Sequence, residues 1–155
     1  MDHYLLLKWA HVVTSTVLLG TGAGIAFFFL RAALRRDPAA FAATAQDVVI
    51  ADVIFTATAV VLQPMTGIAM AAHAGYPLSA GWLRGALILY ALIGACWLPV
   101  VWLQIRMRNL ARLAARGGAP LPAAFDRCLR AWMVLGVIAF SGLLAIFWLM
   151  IAKPA

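Results

Sequence analysis

The amino-acid sequence predicts an all-α fold, a four-transmembrane-helix bundle with both termini on the outer (periplasmic) side of a membrane. Three observations predict it. Hydrophobic residues make up 66% of the 155 residues and charged residues only 11%, whereas about a quarter of a soluble domain is charged. Four apolar stretches reach the roughly 20 residues that a helix needs to cross the hydrocarbon of a bilayer. Most of the basic residues lie at one end of these stretches, and this bias sets the orientation of a membrane protein.

Each predicted helix corresponds to one apolar stretch, and together the helices form a single domain over residues 1–155. Helix 1 is too long for a secretory signal peptide, whose apolar core spans about 7–15 residues, and it ends at Arg31 rather than at a cleavage site. Gly75 and Pro77 predict a turn between helices 2 and 3. Helix 3 continues as a basic helical extension that breaks at Gly117. The predicted helices cover about residues 4–30, 48–73, 82–107 and 129–152.

The orientation follows from the distribution of the twelve Lys and Arg residues. Cytoplasmic connections of membrane proteins are enriched in these residues. The side with few of them should therefore face outward, in a multi-pass protein of the bacterial inner (cytoplasmic) membrane. The same distribution accounts for the net charge of +7, so the lipid bilayer is an expected partner and nucleic acid is not. The predicted outer side carries Lys8, Arg84 and Lys153, and the inner side carries Arg31, Arg35, Arg36, Arg106, Arg108, Arg112, Arg116, Arg127 and Arg130.

Helix 2 carries a polar stripe at alternating steps of four and three residues, which places its members on one helix face. Because polar side chains are costly in hydrocarbon, this face should contact protein, chiefly through interhelical hydrogen bonds. Asp52 is expected to pair with Arg106 or Arg108. Pro64 lacks an N–H and should leave a backbone carbonyl without its helical partner. The stripe consists of Asp52, Thr56, Ala59, Gln63, Thr66, Met70 and His73.

Helix 1 carries two basic side chains that we expect to behave differently. Lys8 can extend its ammonium group to the lipid headgroups, whereas His11 lies about 10 Å below the outer end of the helix and needs a partner inside the bundle. Gly20 and Gly24 form a GxxxG pair that permits close helix approach, within one chain or between two chains. A face of helix 3 should line the same interior, and its members are Tyr90, Gly94, Trp97, Val101 and Gln104.

The three histidines, His3, His11 and His73, all map to the predicted outer half. Imidazole is the usual axial ligand of a b-type haem, and helix bundles build cofactor sites from side chains on facing helices. This pattern predicts a haem b site with His11 as one iron ligand and His73 or Met70 as the other. The alternative is a structural His11 that hydrogen-bonds to Ser15 or to a hydroxyl group on a facing helix.

Several segments resemble the bacterial family of predicted inner-membrane proteins called domain of unknown function 2269. They are "YLLLKWAHVVTSTVLLGTGAGIAFFFLRA", "DVIFTATAVVLQPMTGIAMA", "GYPLSAGWL", "GACWLPVVWLQIRMRNLA" and "AIFWLMIAKP", and they cover almost the whole chain. The resemblance implies a four-helix topology and no established activity. More loosely, the K-x-x-H pattern of Lys8 and His11 is similar to the start of the four-helix bacterial protoporphyrinogen oxidase that binds b-type haem, and to CopD-like copper-resistance proteins. The oxidase's G-L-F-Y-L-P-R-L run is replaced here by "GIAFFFLRA".

The leading functional hypothesis is therefore a small membrane cytochrome or electron-transfer protein with haem b in its outer half. A second is a porphyrinogen or quinol oxidoreductase with the same histidine and a substrate pocket between helices 2 and 3, so quinol or porphyrin would be a partner. A third is a structural or assembly subunit without a cofactor, as a homodimer or in a larger membrane complex. The sequence contains no Ser/His/Asp arrangement, phosphate-binding glycine loop or HExxH motif, so whether the protein is an enzyme stays open.

Overall fold

The computed structural model describes residues 3–154, and all of the regular secondary structure in that range is helical. A five-residue π-helical turn, Asp52–Thr56, joins the helices Pro38–Ala51 and Ala57–His73 without a break, so these two helices form one continuous span. Four spans are long and apolar enough to cross a membrane. These observations confirm the all-α class and the four predicted membrane helices. The helices are α1 (His3–Leu34), α2 (Pro38–Ala51), α3 (Ala57–His73), α4 (Gly81–Arg116) and α5 (Ala123–Ala152).

The helices extend further than the apolar stretches that predicted them. The second span begins at Pro38 rather than near residue 48, and α4 ends at Arg116 rather than near residue 107. Apolarity marks only the residues immersed in hydrocarbon, whereas helical hydrogen bonding continues into the polar region. At 1.5 Å per residue, the 36 residues of α4 reach about 54 Å, well beyond the ~30 Å of hydrocarbon. The excess length lies mainly at the end that carries most of the arginines.

The two ends of the bundle differ in composition. The end that holds the start of α1 and the end of α5 is called the terminal end. At the terminal end, the Tyr4 ring stacks on His73 with centroids 5.4 Å apart, and the Lys153 ammonium lies over the rings of Tyr76 and Trp82. These contacts bring the beginning of α1, the α3–α4 connection and the end of α5 together. The opposite end, here the arginine end, holds the α1–α2 and α4–α5 connections.

At the arginine end, α1 turns sharply into α2. Arg36 takes a left-handed backbone conformation with φ of 58°, and the Asp37 carboxylate then accepts hydrogen bonds from the backbone N–H groups of the first α2 turn. Such an N-cap satisfies donors that the helix itself leaves free. The Arg36 guanidinium donates to the Asp126 carboxylate at the start of α5, and this hydrogen bond raises the pKa of Arg36. The α1–α2 turn is thereby tied to α5.

The buried core lies in the same half of the bundle. Phe29, Phe41 and Phe125 have no exposed surface. The Phe41 ring lies 4.9 Å from Phe29 and 4.7 Å from Phe125, centroid to centroid, in edge-on arrangements that aromatic pairs favour. Trp132 packs on Phe29 at 4.9 Å. One aromatic cluster therefore fastens α1, α2 and α5 together at the arginine end.

The expected close packing at Gly20 and Gly24 is not found within this chain. A Cβ atom added at either glycine would meet nothing within 4 Å, so no neighbouring helix uses the space that the missing side chains leave. The GxxxG spacing permits close approach but does not create it. Close approach occurs elsewhere, at Gly67 against His11 and at Gly142 against Ile93, and neither glycine has a glycine partner at a spacing of four residues.

Candidate functional site

The terminal half of the bundle encloses a cavity of about 550 Å³. All four spans contribute to its wall, which is mainly apolar; Leu83, Leu143 and Phe147 are representative members. Ligand pockets in proteins typically measure about 300–1,000 Å³ and combine apolar walls with a few polar groups. The polar side chains in this wall include Lys8, His11, Ser15, Gln63, Tyr90 and Lys153.

His11 forms the centre of a hydrogen-bond network on one side of this cavity. Its Nδ1 lies 2.9 Å from the Thr66 hydroxyl oxygen, and its Nε2 lies 3.1 Å from the Gln63 side-chain nitrogen. The Gln63 side-chain oxygen accepts a hydrogen bond from the Thr14 hydroxyl group. Both ring nitrogens of His11 are thus engaged by α3, and Gln63 joins the histidine to a second residue of α1.

One assignment of the protons is consistent with every contact of this network. The Thr66 hydroxyl donates to the Leu62 carbonyl at 2.8 Å, so its oxygen is free to accept from His11 Nδ1–H. The Gln63 amide donates to His11 Nε2, and the Thr14 hydroxyl donates to Gln63 Oε1. Tautomers and amide orientations are assigned from such networks, and this network assigns the His11 ring proton to Nδ1. A complete network of this kind holds the imidazole in a single orientation.

Gly67 is what allows His11 to lie so close to α3. A Cβ atom at this position would lie 3.0 Å from His11 Cε1 and 3.5 Å from Nδ1, a separation at which side chain and ring would have to move apart. The absence of a side chain therefore brings the imidazole against the helix backbone, within reach of Thr66 and Gln63. An isolated glycine in a helical pattern can indicate such a close approach, but our sequence reasoning did not single out Gly67.

The predicted site residues fall into two groups. His11 and Met70 both line the cavity. His73 does not line it, because its ring stacks on Tyr4 at the terminal end; His3 is exposed at the start of α1. The alternative for His11, a hydroxyl on a facing helix, corresponds to Thr66, whereas Ser15 donates to the Val12 carbonyl of its own helix.

The geometry around His11 sets conditions for iron ligation. The Thr66 contact at Nδ1 resembles the outer hydrogen bond that orients metal-ligating histidines. The other nitrogen, Nε2, is occupied by the Gln63 amide, so iron would have to replace this hydrogen bond. The predicted partners Met70 and His73 lie on α3, the helix against which His11 already packs at Gly67, so a porphyrin between His11 and either partner would require His11 to leave this contact. Within residues 3–154, no group of three or more His, Cys, Asp or Glu side chains is placed to hold a metal ion.

The cavity wall also explains how the bundle tolerates Pro64. A proline at this position leaves the carbonyl four residues earlier, that of Val60, without its helical N–H partner. The Tyr90 hydroxyl on α4 donates to this oxygen at 2.7 Å. The carbonyl that the sequence predicted to be freed is therefore satisfied from a neighbouring helix, as happens at prolines in membrane helices.

Tyr90→Phe is expected to lower the free energy of unfolding by about 1 kcal/mol, because it leaves the Val60 carbonyl without a donor. Unfolding of the purified protein in mixed micelles with increasing SDS would measure it. Tyr76→Phe, at an exposed tyrosine, is the control and should change little. In a Pro64→Ala background the helix regains its own N–H donor, so Tyr90→Phe should then cost clearly less. Equal costs in both backgrounds would contradict the role given to Tyr90.

A second polar cluster lies in the arginine half, outside the cavity. Asp52, Thr56 and Gln104 are at least nine-tenths buried, and Thr56, Trp97 and Gln104 surround the Asp52 carboxyl group. The expected ion pair of Asp52 is not formed, since Arg106 lies over the Trp102 ring and Arg108 donates to Gln46. Charge and depth in the membrane predicted that pair, but Trp102 and Gln46 take up the two arginines instead. The π-helical turn begins at Asp52 itself.

Comparison with known proteins gives one match. A family model described as "Predicted integral membrane protein (DUF2269)" matches residues 5–154. No curated protein and no solved structure matches the chain, so the looser likeness of helix 1 to the haem-binding oxidase and to CopD-like proteins has no support from these comparisons. The family match agrees with the resemblance noted in the sequence.

Proposed function

The chain belongs to the DUF2269 family of predicted integral membrane proteins, and we propose that it is a membrane-embedded binding protein that takes a small amphipathic molecule into the cavity of its terminal half. The observation that carries this proposal is the cavity itself, with its volume of about 550 Å³ and wall residues from all four spans. A bundle that served only as a structural subunit would be expected to fill this space with side chains, as the aromatic cluster does at the arginine end.

The wall chemistry supports an amphipathic ligand. The apolar side chains of α4 and α5 offer packing surface for a hydrocarbon or ring body. On the α1–α3 side, the Gln63 amide carries a second N–H that no residue in the described range 3–154 accepts, and this donor is available to a polar group of the ligand. Few, well-placed polar groups in an apolar pocket are typical of sites that fix the orientation of a ligand.

The proposal places the protein in the bacterial inner membrane with its terminal end outward. The support is the excess of arginine at the other end, which is the cytoplasmic end by the positive-inside rule. The cavity would then open toward the outer leaflet. A reporter that is active only in the periplasm, fused after Ala155, should be active if this orientation holds.

Haem b, in a small membrane cytochrome or electron-transfer protein, is a second candidate, favoured by the position of His11 and Met70 on the cavity wall. His11 would serve as the iron ligand through Nε2 after release of Gln63, and it would have to leave its contact with α3 for haem to lie between it and Met70. When bound, the group would supply one-electron redox chemistry. Quinol or porphyrinogen oxidation would require the same cavity to take the substrate.

The test is to identify what the purified protein retains. Native mass spectrometry of protein extracted in mild detergent should show a bound non-protein mass, and an absorption spectrum, reduced minus oxidised, should reveal a Soret band if that mass is haem. Ala86→Phe fills the cavity from a buried wall position and should abolish the bound mass. Ala91→Phe, at an exposed position of the same helix, should leave it unchanged. The same bound mass in both variants, or none in the unmodified protein, would refute binding in this cavity.

A further inference from the structure

We infer that the ligand of this cavity is an anionic amphiphile, whose carboxylate or phosphate headgroup is bound by Lys8 and Lys153 and whose apolar body occupies the cavity. This inference rests on the proposed binding function and specifies the chemical class of the ligand. Both lysines line the cavity although they come from opposite ends of the sequence, Lys8 from the start of α1 and Lys153 from the end of α5. The positive charge is therefore placed there by the fold.

The Lys153 ammonium is held in place by aromatic rings. It lies 4.9 Å from the centre of the Tyr76 ring and 5.4 Å from the centre of the Trp82 ring, and these two rings pack edge-on against each other. Cation–π contacts of this kind orient an ammonium group without neutralising its charge. The left-handed backbone of Lys153, with φ of 40°, ends α5 at this point. The side chain is thus positioned at the cavity rather than extended freely to the lipid headgroups.

No carboxylate in the described range 3–154 neutralises these two lysines. The acidic residues of that range are Asp37, Asp47, Asp52 and Asp126, which all lie in the arginine half, and the only ion pair there is between Arg36 and Asp126. An ammonium group beside an apolar cavity is stabilised by an anionic partner, and hydrogen bonds between charged groups are about twice as strong as neutral ones. Within residues 3–154, the terminal end therefore offers positive charge to an anion and no carboxylate to a cation.

The orientation of the ligand follows from the arrangement of these groups. The lysines and the aromatic side chains of Tyr76 and Trp82 lie at the terminal end, where amphipathic rings and headgroups meet, whereas Leu83, Ala86 and Leu143 continue the wall toward the middle of the bundle. A headgroup at the lysines leaves the apolar part pointing inward, along the α4–α5 wall. A neutral apolar molecule would gain the packing contacts but would have no charged group for either ammonium group.

The experiment compares ligands that share a chain and differ in headgroup. Oleate, oleyl phosphate and methyl oleate would be titrated into detergent-purified protein, with bound ligand counted by native mass spectrometry. We expect oleate or oleyl phosphate to bind about tenfold or more tightly than methyl oleate, the gain typical of a charge-assisted hydrogen bond. Which of the two anions binds better distinguishes a free carboxylate from a phosphate headgroup as the natural source.

The variants separate the two lysines from general surface charge. Lys8→Gln with Lys153→Gln should weaken anion binding about tenfold and leave methyl oleate binding unchanged. Arg84→Gln removes an exposed cation of the same end that does not line the cavity, and it should have no effect. Equal affinity for oleate and methyl oleate, or anion binding that survives the double replacement, would overturn the inference while leaving the binding function intact. If none of the three ligands binds, the inference is overturned as well, and the binding function is then decided by whether the purified protein retains a bound mass.

Discussion

Replacing Phe29 with alanine is expected to lower the free energy of unfolding by about 3–5 kcal/mol, the usual cost of removing a fully buried aromatic side chain. Phe29 has no exposed surface and contacts the rings of Phe41 and Trp132, both with centroids 4.9 Å away. The hydrophobic effect adds little to helix association in lipid, so the loss comes mainly from missing van der Waals contacts and from the cavity left behind.

Phe28→Ala is a closely matched control, because it removes the same side chain one residue away on the same helix. Phe28 is 62% exposed within the chain and faces the lipid. Unfolding of both variants in mixed micelles with increasing SDS should give a large loss for Phe29 and less than about 1 kcal/mol for Phe28, as is usual for changes away from a core. Similar losses for the two variants would show that the aromatic cluster does not fasten the arginine end.

Gly67→Val is expected to lower the free energy of unfolding by about 2–3 kcal/mol. Any side chain at this position would press against His11 Cε1 at about 3.0 Å, and overpacking of this kind costs roughly 1–3 kcal/mol. The displaced imidazole would also lose its contacts to Thr66 and Gln63, each worth about 1 kcal/mol. The effect should be visible in the histidine itself, because the ¹⁵N chemical shifts of Nδ1 and Nε2 report their hydrogen bonds.

Gly20→Val provides the control for this replacement. It introduces the same side chain into a membrane helix at a glycine whose Cβ would meet nothing within 4 Å. We expect an effect below about 1 kcal/mol and unchanged His11 nitrogen shifts. If Gly67→Val left those shifts unaltered, then contact with the bare helix backbone would not be what positions the imidazole.

The general architecture was predictable because a chain in hydrocarbon must satisfy its backbone hydrogen bonds within helices and keep its polar side chains in contact with protein. Four apolar stretches predicted four spans, and the steps of four and three predicted that Gln63 and Thr66 face protein, which their contacts with His11 confirm. The depth of His11 predicted that it needs a partner, and Pro64 predicted a freed carbonyl. The predictions for His11 and Pro64 each depended on one residue and on the low polarity around it.

The partners of these groups were less predictable, because they depend on how the helices rotate and pack. Nothing local indicates that Tyr90, and not another donor, reaches Val60, or that close contact occurs at Gly67 rather than at the GxxxG pair. The cavity is likewise a property of the packed bundle, since side chains of similar apolarity form a buried cluster at one end and line the cavity at the other. The iron-ligand assignment of His11, His73 and Met70 stays a prediction.

The uneven distribution of packed core has a mechanical consequence for the protein in its bilayer. A cavity of about 550 Å³ lies in the terminal half, whereas the arginine half holds the aromatic cluster and a more open groove of about 390 Å³ between α1 and α2. Changes in lateral pressure or bilayer thickness would therefore be expected to change the width of the cavity more than the spacing of the helices that the aromatic cluster joins. The lipid composition of the membrane would then change how much ligand the cavity holds, even where lipid and ligand are not in contact.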